Sequence, residues 1–174
     1  MFWKLIARLA STPCVADWLI RRAMKTPYQH IYHADHLYMG RWWLFNPYPR
    51  PEENRKKANW FPISVRIHHI CEPDTARDMH DHPWNARTII LKGGYTEHRL
   101  EAVLPNGDTL AKVYDRKPGD TATIKFGEYH NIVALADGGA WTLFISGKYR
   151  GTWGFLVKGV KVQWRKYMGY EVKE

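Results

Sequence analysis

RTIILKGGYTEHRLEAVLPNGDTLAKVYDRKPGDTATIKFGEYHNIVALADGGAWTLFISG, residues 87–147, carries most of the fold information in this chain. Runs rich in β-branched and aromatic residues recur about every 8 to 12 residues, each closed by Gly, Pro, Asn or Asp. The punctuation is Lys92-Gly93-Gly94, then the Pro105-Asn-Gly-Asp turn, the Pro118-Gly-Asp turn and the Asp137-Gly-Gly turn. No helical period of comparable strength occurs between residues 60 and 147. The pattern predicts an all-β antiparallel sandwich or barrel.

Toward the N-terminus, LYMGRWWLF (37–45) reads as a strand and NPYPRPEENRKK (46–57) as an exposed loop. WFPISVRIHHI (60–70) reads as a second strand broken at Pro62. The tail from Gly151 holds two more strand-like pieces, able to close a sheet edge. At the other end, Thr12-Pro13 is a helix start, with Val15, Trp18, Leu19 and Ala23 at helical spacing and a stop before Lys25-Thr26-Pro27. Residues 2 to 9 form a short amphipathic helix that packs on the main domain or a partner, or lies on a membrane surface. The expected division is a helical extension over 1–36 and a β-barrel domain over 37–174.

The 174 residues suit one compact domain, and 45% hydrophobic content supplies a real core. Nine Trp and ten Tyr can line either a core or a pocket. A formal charge of +9 favours phosphate, nucleic acid, anionic lipid or acidic small molecules. Cys14 and Cys71 show no pairing pattern, which argues against a disulfide framework or zinc ribbon and for a reducing cytoplasm. No apolar run reaches the ~18 residues of a transmembrane helix. Walker, Rossmann and nucleophile-elbow patterns are absent.

HDHPW, residues 80–84, places His80 and His82 two positions apart, so in an extended segment both imidazoles face one way. Among nine histidines such a pair is weak evidence taken singly. It is followed by Gly93 and then by Gly119, Gly127 and His130. These residues resemble the two signature motifs of the cupin superfamily. The chain departs from those motifs in three places: Ala86 or Arg87 stands at the usual Glu, Lys125 at the usual Pro, and Ala134 at the final Asn. Within cupins the chain is similar to uncharacterised bacterial and phage proteins that share HDHPW, here with RIHHI (66–70), GGYTE (93–97), TWGF (152–155) and WRKY (164–167).

The resemblance implies a cupin-type antiparallel barrel, also called a double-stranded β-helix or jelly roll, with His80, His82 and His130 as metal ligands. Three-histidine thiol dioxygenases within the cupins also lack the Glu, which makes Fe(II) the first expectation, with Zn, Ni, Mn or Cu as alternatives. Glu97 is the preferred fourth ligand, ahead of His98 and of His68 or His69, of which strand alternation admits one from each adjacent pair. Tyr95, Tyr129 and Glu97 are candidate catalytic groups, and Arg66, Arg87 and Trp84 candidate substrate contacts. Asp81 reads as an acid supporting the ligands or the turn.

The function expected is a small-molecule oxygenase of the non-haem iron type, or a metal-dependent isomerase. One alternative is a non-catalytic cupin that binds an anionic ligand such as a nucleotide or sugar. The other is nucleic-acid binding through the aromatic and basic residues of RWW (41–43) and WRKY. Cupins commonly pair through a sheet edge, so the resemblance also implies a homodimer.

Overall fold

A computed structural model describes residues 1–47, 61–74 and 77–170. The predicted loop at 46–57 falls largely outside these residues, whereas Pro62 is described and lies before the strand that starts at Ser64. Two helices open the chain, α1 (Phe2–Ala10) and α2 (Pro13–Ala23). Pro13 occupies the first turn of α2, where its missing N–H costs nothing. The Thr12 hydroxyl, expected to cap α2, instead donates back to the Leu9 carbonyl (2.8 Å) and closes α1.

Among the described residues, seven strands build the main antiparallel sheet in the order β1 (Ile31–His33), β2 (His36–Phe45), β3 (Ser64–Ile70), β7 (His130–Ser146), β4 (Ala86–Val103), β5 (Thr109–Arg116), with β6 (Thr121–Ile124) also on β4. β4 (Ala86–Val103) and β7 (His130–Ser146) are each one continuous strand rather than the two predicted. The reason lies at the glycines. Gly93 (φ +66°) would place a Cβ 1.9 Å from the Gly139 oxygen, and Gly139 (φ +78°) would place one 2.3 Å from the Ile70 oxygen. Both pairs therefore bend and slip register inside a ladder instead of reversing the chain. The result is a pair of long strands whose outer halves take different neighbours: β6 beside residues 86–89, β5 beside residues 95–103.

Strand alternation gives the sheet two distinct faces. Ile67, Ile89, Leu91 and Leu143 meet Ala7, Ala10, Ala16, Ile20 and Ala23 of the helices in one apolar cluster. The helices approach through alanines, which permit close contact. Each fully buried Ile or Leu there contributes about 1.5–3 kcal/mol. The opposite face, with Arg66, His68, Tyr95, Glu97, Ile132 and Phe144, lines the interior that holds the candidate site.

The tail does not close an edge of the main sheet. β8 (Gly154–Val157) and β9 (Val160–Gln163) pair with each other, and α3 (Trp164–Tyr167) follows. This hairpin is stitched to the HDHPW segment: Leu156 N–H donates to the Met79 oxygen (2.8 Å) and Asp81 N–H to the Gly154 oxygen (3.1 Å). No helix among the described residues is long and apolar enough to cross a membrane.

Candidate metal centre

His80 lies between two elements, bridged to His130 on one side and Phe155 on the other. Its backbone exchanges both hydrogen bonds with His130 (2.9 and 3.0 Å), which fixes the start of β7 against the HDHPW segment. His82, two residues on, joins the same group, and the Pro83 carbonyl accepts from Arg150 N–H (2.7 Å). The buried Asp81 carboxylate accepts from Gly154 N–H (2.7 Å) and from the Lys161 ammonium, so it ties the segment to the C-terminal hairpin.

One ligand atom from each of His80, His82 and His130 lies within 4.8 Å of the others, and among the described residues no further side chain joins that group. Nε2 of His82 is 2.9 Å from Nε2 of His130. Imidazole nitrogens bound to one metal at about 2.0–2.1 Å and at right angles stand about 2.9–3.0 Å apart, so the spacing fits two adjacent ligands. Burial holds the His80 imidazolium down to a pKa of about 4, with help from the nearby His130 and Arg77 and opposition from Asp74 and Asp81. Burial, then His130 and His80, pushes His82 well below the ordinary histidine range. Both rings are thus neutral at physiological pH, the state a metal requires. The donor set fits a transition ion, with coordination positions left for water or substrate.

Glu97 stands behind this group. Its fully buried carboxylate accepts from Nδ1 of His130 (2.9 Å), from Arg99 (3.0 Å) and from Arg116 (2.9 and 2.8 Å). Burial raises its pKa, but the hydrogen bonds from His130 and Arg99 outweigh this and bring it to about 2. The carboxylate keeps the His130 proton on Nδ1 and points Nε2 at His82, a positioning role that metal-binding histidines commonly have filled. Glu97 is therefore placed on the far side of His130, not beside the His80 and His82 nitrogens.

The other sequence candidates separate by face. His68 points inward, stacked on Phe144 (4.9 Å), whereas His69 faces out, stacked on Trp141 (4.1 Å) and donating to the Gly138 carbonyl (3.0 Å). Arg66 is inside, its guanidinium 5.2 Å from the Phe144 ring and 5.1 Å from Trp84; His82 is 6.0 Å from that same Phe144 ring. Arg66, Trp84 and His82 are thus brought together around Phe144. Arg87 is not: it lies on the helix-facing side, bonded to Thr121 (3.2 Å) and Thr123 (2.7 Å) and 4.6 Å from the Trp3 ring. Tyr95 is packed in an apolar cluster with Ile70, Ile90 and Ile132, and burial pushes its phenol strongly upward. Tyr129 is raised to about 12 by burial and by the Asp81 charge. His98 pairs in register with Val113 and Asn131 on the strand face opposite Glu97.

Several participants escaped the sequence reading. Arg99 and Arg116, the two cations on Glu97, carry no motif of their own. Arg99 was detectable as an i+2 partner on the Glu97 face, but Arg116 reaches Glu97 only across a strand pair. Asp74, buried behind the site, accepts from Ile132 N–H (2.9 Å) and from the Tyr38 hydroxyl. The C-terminal aromatics pack directly on the ligand segment: Phe155 lies 6.0 Å and Trp153 6.3 Å from His80. Trp164 in turn stacks on Trp153 (5.6 Å) and Tyr167 on Phe155 (3.9 Å), with the Tyr167 hydroxyl donating to Asp78 (3.0 Å). The RWW rings are likewise buried, Trp42 stacked on Trp141 and Trp43 beside Tyr28.

No family model and no curated protein matches the sequence. Solved structures match the fold. An oxalate decarboxylase from Lactobacillus farciminis, in a formate complex, is 14% identical at a TM-score of 0.51, over 86% of this chain and 36% of its own. Fe(II)-HppE with the alternative substrate (S)-1-HPP is 10% identical at a TM-score of 0.50, over 72% of this chain and 57% of its own. A Bacillus subtilis oxalate decarboxylase, studied for its Mn(II) centers, is 13% identical at 0.50, over 79% and 31%. The fold is a cupin-type β-barrel. At these identities the likeness extends to architecture alone. The chain spans 57% of HppE and 36% and 31% of the two decarboxylase chains.

Proposed function

We propose that this protein is a metal-dependent cupin acting on a small molecule, an oxygenase of the non-haem iron type. The observation that carries the reading is the convergence of His80, His82 and His130 on one point of the barrel interior. Two structural neighbours are described with Fe(II) and Mn(II), metals that suit such a donor set. When bound, the metal would supply Lewis acidity and redox capacity. The chain's own groups do the rest. Glu97 fixes the tautomer of His130, while Phe144, Trp153 and Phe155 place apolar surface around the ligands and limit water. Arg66 supplies a positive charge beside Trp84 that favours an anionic substrate. The free Cys14 and Cys71 suit a reducing cytoplasm.

The test is metal content by elemental mass spectrometry on untagged protein, wild type beside His80→Ala and His130→Ala. About one equivalent of iron or manganese in the wild type, lost in both folded variants, is expected of a shared site. Nitric oxide binding to the Fe(II)-loaded protein, read by electron paramagnetic resonance, then reports an open position. Folded wild type that takes up no metal on reconstitution sinks the reading.

One observation favours a second reading, capture of an anionic ligand without turnover: the Arg66 cation lies on the Phe144 ring also contacted by His68 and His82. Anion binding that survives His80→Ala but fails in Arg66→Met would move the assignment there.

A further inference from the structure

α1 turns three bulky residues away from the protein. Ala7 and Ala10 make the buried contact, while Phe2, Leu5 and Leu9 are 68%, 60% and 58% exposed. Positions 2, 5 and 9 fall on one helical stripe. Lys4 and Arg8 lie along one flank of it, both exposed. The opposite side of the helix is anchored, because Trp3 lies under the Arg87 guanidinium (4.6 Å) and Ile6 packs on the core cluster. α2 adds Trp18, 58% exposed, with Arg21 and Arg22 also exposed. Over residues 1–25 five basic side chains (Lys4, Arg8, Arg21, Arg22, Lys25) face one acid, Asp17, which is itself paired with Lys92.

A stripe of aliphatic and aromatic side chains edged by cations has the pattern of a helix that lies in a lipid interface. Its apolar face enters the headgroup–acyl boundary and its long basic side chains remain among the phosphates. We propose that the α1–α2 pair docks this protein on an anionic membrane surface through Phe2, Leu5, Leu9 and Trp18, with Lys4, Arg8, Arg21 and Arg22 contacting lipid headgroups. A second copy of the chain is a poorer occupant, since a two-fold interface would press this basic rim against itself. Nucleic acid satisfies the cations but offers nothing to Leu5 and Leu9. The helices pack on the Ile67, Ile89, Leu91 and Leu143 face of the sheet, and the proposal uses none of the candidate metal-site residues, so it does not rest on the metal reading.

The experiment is co-sedimentation of the full chain with vesicles of phosphatidylcholine alone or mixed with phosphatidylserine, at low and high salt. Two folded variants accompany the wild type, Leu5→Asp/Leu9→Asp and Lys4→Gln/Arg8→Gln; all four positions are exposed, and circular dichroism checks the fold. Binding is expected on the mixed vesicles, weakened by salt. The basic-pair variant should bind about 25-fold more weakly, fivefold per cation, and the leucine-pair variant should not sediment. Absence of wild-type binding, equal binding to the neutral vesicles, or unchanged binding by the leucine-pair variant overturns the proposal. So does light scattering that shows a wild-type dimer dissociated by the leucine pair, which would assign the face to a second copy.

Discussion

Replacing Glu97 by Gln tests the support of the candidate site most directly. The carboxylate is fully buried and receives hydrogen bonds from His130, Arg99 and Arg116. Gln keeps the shape and one acceptor oxygen but puts an NH2 where a donor already points. If that NH2 faces His130, the ring must move its proton to Nε2, the nitrogen that faces His82. The lowering of the Glu97 pKa from 4.5 to about 2 corresponds to about 3 kcal/mol of folded-state preference for the charged form. Leaving buried charges without their partner costs about 3–5 kcal/mol, a similar figure. A loss of about 3 kcal/mol is therefore expected in urea denaturation, or roughly 6–12 °C in Tm for a domain of this size. In chelator competition, metal affinity should fall about 10- to 100-fold. Glu128→Gln, at the more exposed carboxylate that pairs with Arg99 and accepts from Lys125 N–H (2.8 Å), should cost less than about 1 kcal/mol. If Glu97→Gln were as stable as wild type within about 0.5 kcal/mol and held metal equally, the tautomer argument would be wrong.

Acid sensitivity and the sheet corner give two further predictions. His80 has a folded pKa of about 4 against an ordinary 6.5, so the unfolded chain binds more protons between those values. Stability is then full above about pH 6.5 and falls by up to about 3 kcal/mol as the pH drops through 4; urea midpoints across this range should show it, and His80→Gln should flatten the slope. An unaltered slope in that variant would assign the protons elsewhere. Gly138→Ala and Gly139→Ala share a φ of +78°, but only the second Cβ meets an atom, the Ile70 oxygen at 2.3 Å. The first should cost about 1–2 kcal/mol and the second clearly more, and equal losses would mean that the strand corner yields freely.

The same glycines mark a limit of sequence reading. A glycine with positive φ serves a turn and a bulge equally well. Only the partner strand, here β7 against β4, decides between reversal and bending, so strand positions were legible while their continuity was not. The interior histidine of the His68-His69 pair was likewise undetermined until register placed His68 on Phe144. Glu97 was legible as a site acid, but the side of His130 on which it stands depends on the register shift at Thr96 and Glu97. For Arg87, the helices cover its face of β4, and local alternation does not say which face that is.

By itself the sequence determined the antiparallel β class, the two N-terminal helices and the chemistry of His80, His82 and His130, because alternation, turn residues and side-chain identity are local properties. Tertiary structure decided that those three histidines meet, that Glu97 supports one of them, and that α1 buries alanines and exposes leucines. Each of these depends on which surfaces distant segments present to one another. Here that means register across β4 and β7, the hairpin that pins the HDHPW segment, and the close approach of α1 to the sheet.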